Sequence, residues 1–550
     1  PLRGSPLHGR GSSRRHPSPP CAGLHWPQAD TSPALCYDER AVYDVIVIGA
    51  GLGGLLAAAK LAGEGRRVLV LEKKALAGGT SYVFRRGGYA FPMGPLSFSF
   101  PDRVRRMLAA AGVARPLAFR RSSFEVRTPA LDVVISRPLA ELRAALGGLY
   151  PGERDGLARF FTALGSAIDV AKDMDLWHPD FRAAPEDGRD AGPGGAIAAD
   201  RRRAVAELSV MPAAAVLGSH IGDPDLKNLL GSMGSEPPVM SMLNLALMWN
   251  VMAEEGIWFP DAGVHGLADL LRERLAAEGG ELRLGTPVRR VLVKGGRAAG
   301  VVTASGDVLE AAWIVSNADY KTTFLELVDA ADIPRVDLDG VRGAPYTGSE
   351  LCVYLGLRPE AVDLSAMRAE HLLVYLGGAG GADAEGRPGP EDLESREIEI
   401  CLWSRKAPSL TPPGRASLVI RAGFPYGHFE PWWLGEKKRR EGYGEYKKGL
   451  AMKLVRTAER VLPGLSGSIE VLEAATPLTY RDWGGRYEGS IAGWSWAARS
   501  SAAQPRKILV RTPVPGLLVA GAYASTELFL GGVPTALYTG GLAADIILGG

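Results

Sequence analysis

The stretch that most constrains the fold is Val45 to Glu72, VIVIGAGLGGLLAAAKLAGEGRRVLVLE. Its β-branched opening, Val45-Ile46-Val47-Ile48, is bounded by glycine and reads as a strand buried on both faces of a parallel sheet. Gly49, Gly51 and Gly54 then give GxGxxG, Leu52 to Glu64 continues as an Ala- and Leu-rich helix, and Arg67 to Leu71 is a second strand ending at Glu72. The spacing has a chemical reason. Gly49 permits a tight turn, Gly51 lets the backbone approach a pyrophosphate, and Gly54 lets helix and strand pack closely. The helix N-terminus offers N–H groups and a positive dipole end to that anion. Glu72 stands where a carboxylate accepts hydrogen bonds from ribose hydroxyls. A glycine loop that only caps a helix needs neither the second strand nor the acid, so these residues predict a dinucleotide-binding βαβ unit.

The rest of the chain narrows the class. Its 550 residues are 46% hydrophobic and 23% charged, with a net charge of +2. Residues 1–40 hold five basic and three acidic groups, so the remainder is neutral and no nucleic-acid-scale basic surface is implied. That leader is rich in Pro, Ser, Gly and Arg and reads as an extension that packs against nothing, or as an organelle transit peptide. Cys21, Cys36, Cys352 and Cys401 show no CxxC or zinc-like spacing, so no metal site is expected. No uninterrupted apolar run is long enough for a membrane-spanning helix. These features suit a cytoplasmic or peripheral membrane protein, with organelle import as the alternative if the leader is a transit peptide.

Beyond Glu72 come Lys73, Gly78-Gly79-Thr80 and the turn Tyr89-Ala90-Phe91-Pro92-Met93-Gly94-Pro95. Near the C-terminus a strand from Leu517 to Ala520 leads to Gly521, and Gly531-Gly532-Val533-Pro534 opens a final helix. Pro534 suits a helix start, since its missing N–H would have been unpaired there. In this order the elements resemble the flavoproteins related to amine oxidases, and most of all the phytoene desaturase, carotenoid isomerase and retinol saturase group. The resemblance runs in islands from about Val42 to the end of the chain. It implies an α/β fold: a Rossmann-like FAD-binding domain, with a parallel sheet and a β-meander, interwoven with an α+β substrate domain. The FAD-binding parts would be 41–115, 256–345 and 505–550, and the substrate parts 116–255 and 346–504.

The same resemblance implies FAD held by Gly49, Gly51, Gly54, Glu72 and Lys73, by Gly78, Gly79 and Thr80 beside the pyrophosphate and ribitol, and by the main chain of Val288 at the adenine. It places Gly521, Gly532, Val533 and Pro534 at the flavin, where a helix N-terminus stabilises the charge of the reduced ring. Thr80 and Pro92 depart from the usual pattern of the family. Tyr480 and Trp494 are expected at the cavity wall. No catalytic side chain is assigned, because the chemistry belongs to the flavin. The implied reaction is hydride transfer at flavin N5 on a long apolar isoprenoid, giving desaturation, saturation or cis-trans isomerisation, with an external electron acceptor or donor left open. An amine oxidase and a non-catalytic prenyl-lipid escort protein share this scaffold and are the alternatives.

Between these signals, Asp102 reads as the N-cap of a helix to about Ala111, and Gly156 to Met174 as another helix. Met233 to Met252 reads as a core helix, or as a flexible lining for an apolar ligand. His265 reads as a solvent-facing residue at a helix start. Gly377 to Pro390 reads as a linker. Trp432-Trp433, beside Glu436-Lys437-Lys438-Arg439-Arg440, reads as a solvated helix face or a membrane contact.

Overall fold

The computed structural model describes residues 43–549, apart from 116, 173–194, 235–239, 262, 345, 377–391, 395, 492, 495–508 and 526–530. The expectations for residues 1–40 and for 377–390 therefore lie outside the described residues.

Tyr43–Ile48 occupies the middle of a seven-stranded sheet, paired in parallel with Val68–Leu71 on one side and Val308–Ser316 on the other. Glu281–Arg283 and Leu517–Val519 extend the parallel part. Two strands flank Val45-Ile46-Val47 and all three side chains are fully buried, which is why a continuous apolar run is stable there. The long strand Val308–Ser316 serves two purposes. Its first residues pair antiparallel with Arg297–Thr303, which pairs with Val288–Lys294 as a β-meander, and from Ala311 onward it pairs with the first strand.

A second seven-stranded sheet has the order Ile469–Ala475, Glu350–Leu357, Ala416–Gly423, Ile398–Leu402, His371–Val374, Phe124–Arg127, Asp132–Val134. Alternation at period two gives it distinct faces. Leu351, Val353, Leu355, Leu418 and Ile420 pack with Leu450, Leu454 and Val455 of the helix Tyr443–Glu459. Cys352, Tyr354, Cys401 and Val419 face the other way, into the core of the first sheet. The two sheets therefore share one packed boundary.

Several local expectations change. The helix Pro101–Ala110 is preceded by Phe100 in the left-handed region (φ 57°), and Asp102 lies in its first turn, bonded to Arg105, so Asp102 is not the cap. The methionine stretch is broken: Met233 ends the helix Pro224–Ser232, whereas Met242 and Met252 are buried in a helical core with Trp249. Trp432 and Trp433 do not lead straight into a helix; Trp433–Gly435 and Lys438–Arg439 form a short hairpin first.

Candidate functional site

The glycine turn, the double glycine, the end of the central strands and the last helix converge on one place, and Asn317 lies at its centre. Asn317 follows Val308–Ser316 and is tied to the first strand by its N–H, which donates to the Ile48 carbonyl at 2.8 Å. Its Oδ1 accepts from the Gly54 N–H at 3.0 Å. A Cβ at Gly51 would lie 2.5 Å from Asn317 Nδ2, one at Gly53 2.7 Å from Asn317 Oδ1, and one at Gly54 2.3 Å from the Gly49 carbonyl oxygen. Gly49 itself has φ 92°, the left-handed geometry the turn needs. Sequence reasoning missed Asn317; its only local signal is its position immediately after a buried strand.

Gly78 joins this turn directly. Its N–H donates to the Ala50 carbonyl at 2.7 Å and it bridges Gly51 as a parallel pair. Both Gly78 and Gly79 have positive φ, and a Cβ on Gly79 would reach 3.2 Å from Gly51 Cα. Thr80 follows, with its hydroxyl accepting from Arg486 at 2.9 Å. The Glu72 carboxylate is buried and accepts the Ala50 N–H at 2.8 Å through one oxygen and the Lys74 N–H at 3.0 Å through the other. Each oxygen keeps a further lone pair for a ligand hydroxyl. The Glu72 carbonyl accepts from Thr286 N–H at 2.9 Å, which sets Val288, two residues on and half-buried, near this end. Lys73 is exposed, with its ammonium beside Gly485, so its main chain rather than its side chain belongs to this turn.

The last helix, Gly532–Leu548, packs on the first, Leu52–Gly63, through glycine: a Cβ at Gly540 would lie 2.2 Å from the Gly53 carbonyl oxygen. Gly521 has φ 101° and donates its N–H to Thr539 Oγ1 at 3.0 Å, locking the loop onto this helix. Gly531 caps this helix and Gly51 the first, neither with a side chain of its own, and at the first helix Asn317 Oδ1 takes the Gly54 N–H. Val533 and Pro534 are buried in its first turn and Gly532 is half-buried. Close approaches open only to glycine, two glycine-capped helix N-termini and a buried carboxylate with spare acceptor capacity fit an elongated dinucleotide.

Thr80, Pro92, His265 and Trp403 line a small cavity next to the double glycine. His265 is half-buried rather than solvent-facing, and its Nδ1 is buried with no hydrogen-bond partner among the described residues. Burial, then the nearby Arg85, lowers its pKa against the opposing pull of Asp269. Tyr480 donates to Glu350 at 2.5 Å, and Trp494 donates to the Tyr523 carbonyl at 3.0 Å. Trp494 belongs to a ring cluster with Tyr346 and Tyr523, while Lys321 Nζ sits 5.0 Å and 4.9 Å from the centroids of Tyr346 and Tyr487.

A buried row of charges crosses the boundary face of the second sheet. Arg421 pairs with Glu399, whose carboxylate accepts from His371 Nδ1 at 2.6 Å. His371 Nε2 accepts from Lys406 at 2.6 Å, and Lys406 also donates to Ser122 at 2.6 Å. Burial and then the Lys406 charge push His371 down to about 4, and burial lowers Lys406 to about 8. His371 is therefore a neutral relay between an anion and a cation. Among the described residues no group of His, Cys, Asp or Glu is placed to hold a metal, and no helix is long and apolar enough to cross a membrane.

The family model for flavin-containing amine oxidoreductases matches residues 52–548. The chain is 27% identical over 473 residues to a chloroplastic prolycopene isomerase of Daucus carota, covering 82% of this chain and 71% of that one. It is 27% identical to a phytoene dehydrogenase of Streptomyces griseus, over 92% of this chain and 95% of that one. Among solved structures, a putrescine oxidase bound to putrescine superposes with a TM-score of 0.56 at 16% identity, covering 92% of this chain and 99% of that one.

Proposed function

Because the chain belongs to the flavin-containing amine oxidoreductase family, we propose that it is the member of that family acting on a long apolar isoprenoid, a carotenoid, phytoene-like or retinoid polyene. It is an FAD-dependent oxidoreductase. The observation that carries the reading is the convergence of the Gly49–Gly54 turn, Glu72 and the last helix around Asn317. In this proposal Gly51 and the first helix N-terminus hold the pyrophosphate, Glu72 the ribose, the Val288 main chain the adenine, and Gly78, Gly79 and Thr80 the ribitol. The last helix, from Gly532 through Val533 and Pro534, directs its positive end at the flavin. Bound FAD supplies reversible hydride-level redox chemistry at its N5. The protein's part is to hold the substrate, exclude water and bias charge.

An apolar substrate is supported by the names of the carotenoid-acting relatives. The test is anaerobic incubation of the FAD-loaded chain with phytoene, a poly-cis carotenoid, a retinoid and putrescine, with products resolved by chromatography. Conversion of a polyene with putrescine untouched is the expected result, and the product shows whether the reaction is desaturation, saturation or isomerisation. Putrescine oxidation with every polyene unchanged would overturn the substrate assignment.

A further inference from the structure

Arg486 reaches the double-glycine turn from the second sheet's side of the molecule. The strand Ile469–Ala475, at that sheet's edge, leads into the helix Pro477–Asp482, and the chain then turns back through Tyr487–Gly489. Gly489 has φ 61°, and a Cβ there would come 2.2 Å from the Pro477 carbonyl oxygen, so the turn closes tightly on the helix start. Its carbonyl accepts from Ser349 Oγ at 2.6 Å. Three contacts fasten this turn to the loop ends of the first sheet. The Tyr487 N–H donates to Asp319 Oδ2 at 3.3 Å, Ser490 Oγ lies 2.6 Å from the Tyr523 hydroxyl, and Arg486 donates to Thr80 Oγ1 at 2.9 Å. Asp319 stands two residues past Asn317, Tyr523 two past Gly521, and Thr80 one past Gly79.

The charge of Arg486 is not balanced within this frame. A guanidinium stays ionised at any pH a folded protein tolerates. Its donors meet neutral groups: Nη2 the Thr80 hydroxyl and Nη1 the Ser490 carbonyl at 3.2 Å. It also faces the Tyr523 hydroxyl, where its charge opposes the burial that raises that phenol's pKa. Among the described residues no carboxylate forms an ion pair with Arg486. Asp319, the buried acid of this corner, accepts instead from the Tyr346 hydroxyl and from the N–H groups of Lys321, Thr322 and Tyr487. Lys74 adds to the imbalance. Burial, the neighbouring Lys73 and then Arg486 lower it to about 8 against the pull of Glu72. Glu72 offsets one of these two half-buried cations and leaves the other without an anion.

We propose that Arg486 is a cofactor-binding residue that neutralises the diphosphate of FAD, brought to the site by the turn that follows the second sheet's edge strand. The contacts fix the place. Thr80 adjoins Gly79, a Cβ on Gly79 would reach 3.2 Å from Gly51 Cα, and Gly51 is where the backbone lies open to a diphosphate. The first helix offers that anion N–H groups and only a partial charge, whereas the N–H donors of Arg486 not taken by Thr80, Ser490 and Tyr523 bring a full one. A purely structural clamp would make the same contacts to neutral acceptors but would gain nothing from an unpaired charge. The inference rests on the FAD reading and adds to it a residue from outside the glycine turns.

The test is titration of the full chain, stripped of flavin, with FAD and with ADP, which carries the diphosphate without the flavin ring. Arg486→Gln should weaken both ligands alike, by about tenfold or more, while the small amount of chain loaded at saturating FAD keeps the wild-type midpoint potential. Arg486→Lys keeps a cation without the fork, so its ADP affinity should fall between the two; it also serves where the glutamine variant does not fold. Thermal melting of the stripped chains reads the fold separately. A variant that melts lower but binds ADP as the parent does is a broken clamp, and overturns the proposal. Retained FAD affinity with a lowered midpoint potential would set Arg486 at the ring instead, and overturns it too. A wild-type chain that binds neither FAD nor ADP sinks the FAD reading and this inference with it. Binding of both by the parent, and equally by both variants, sinks only the assignment of Arg486.

Discussion

At the scale of single residues, the site is a set of distances that only particular side chains permit. Gly54→Ala would put a Cβ 2.3 Å from a main-chain oxygen, which has nowhere to go, so it should destabilise the chain by about 1–3 kcal/mol and release FAD. Gly51→Ala meets the movable end of Asn317 instead, so thermal stability should hold while FAD affinity falls more than about tenfold, as flavin fluorescence titration would report. His371 gives a pH prediction. Its folded pKa, about 4, lies below the unfolded value of about 6.5, so the unfolded chain binds more protons between these limits and stability rises with pH across that window. As pH falls from 6.5 to 4 the wild type should lose about 3 kcal/mol relative to His371→Gln in urea unfolding. The glycine roles were legible in the sequence, whereas their partners and the His371 environment were not. Glycine spacing is local, but Asn317 lies 263 positions from the Gly54 N–H it accepts, and Lys406 lies 284 from Ser122, so only the fold reveals their roles.

Elements obey rules that a sequence displays more openly. The central strand, the first helix and the meander appear where apolar runs and period-two alternation put them, because burial on a known number of faces dictates those patterns. Helix starts were less transparent. Asp102 had the right chemistry for a cap, but Pro101 begins the helix and Phe100 turns the chain before it, a backbone choice that composition does not express. His265 likewise looked like a surface residue, but the fold half-buries it beside a cavity that Trp403, from a distant segment, also lines. The contact between the first and last helices carries a prediction of its own. Gly540→Leu would drive a side chain into the Gly53 carbonyl, so the helices should part, with the melting temperature and FAD retention dropping together. Loss of either property without the other would separate helix packing from cofactor binding.

At the scale of the whole molecule, one strand, Val308–Ser316, connects the meander to the parallel sheet and delivers Asn317 to the glycine turn, while the second sheet supplies the opposite boundary. In the proposed reading, the FAD site is built by segments from the start, the middle and the end of the chain. The most direct test is the FAD stoichiometry of the purified chain after reconstitution, measured beside Gly51→Ala and Gly540→Leu. The account predicts one FAD per wild-type chain and a loss in both variants, since a segment near the start and a helix at the end enclose a single molecule. A wild-type chain that takes up no flavin, or variants that bind it as tightly as the parent, would contradict it.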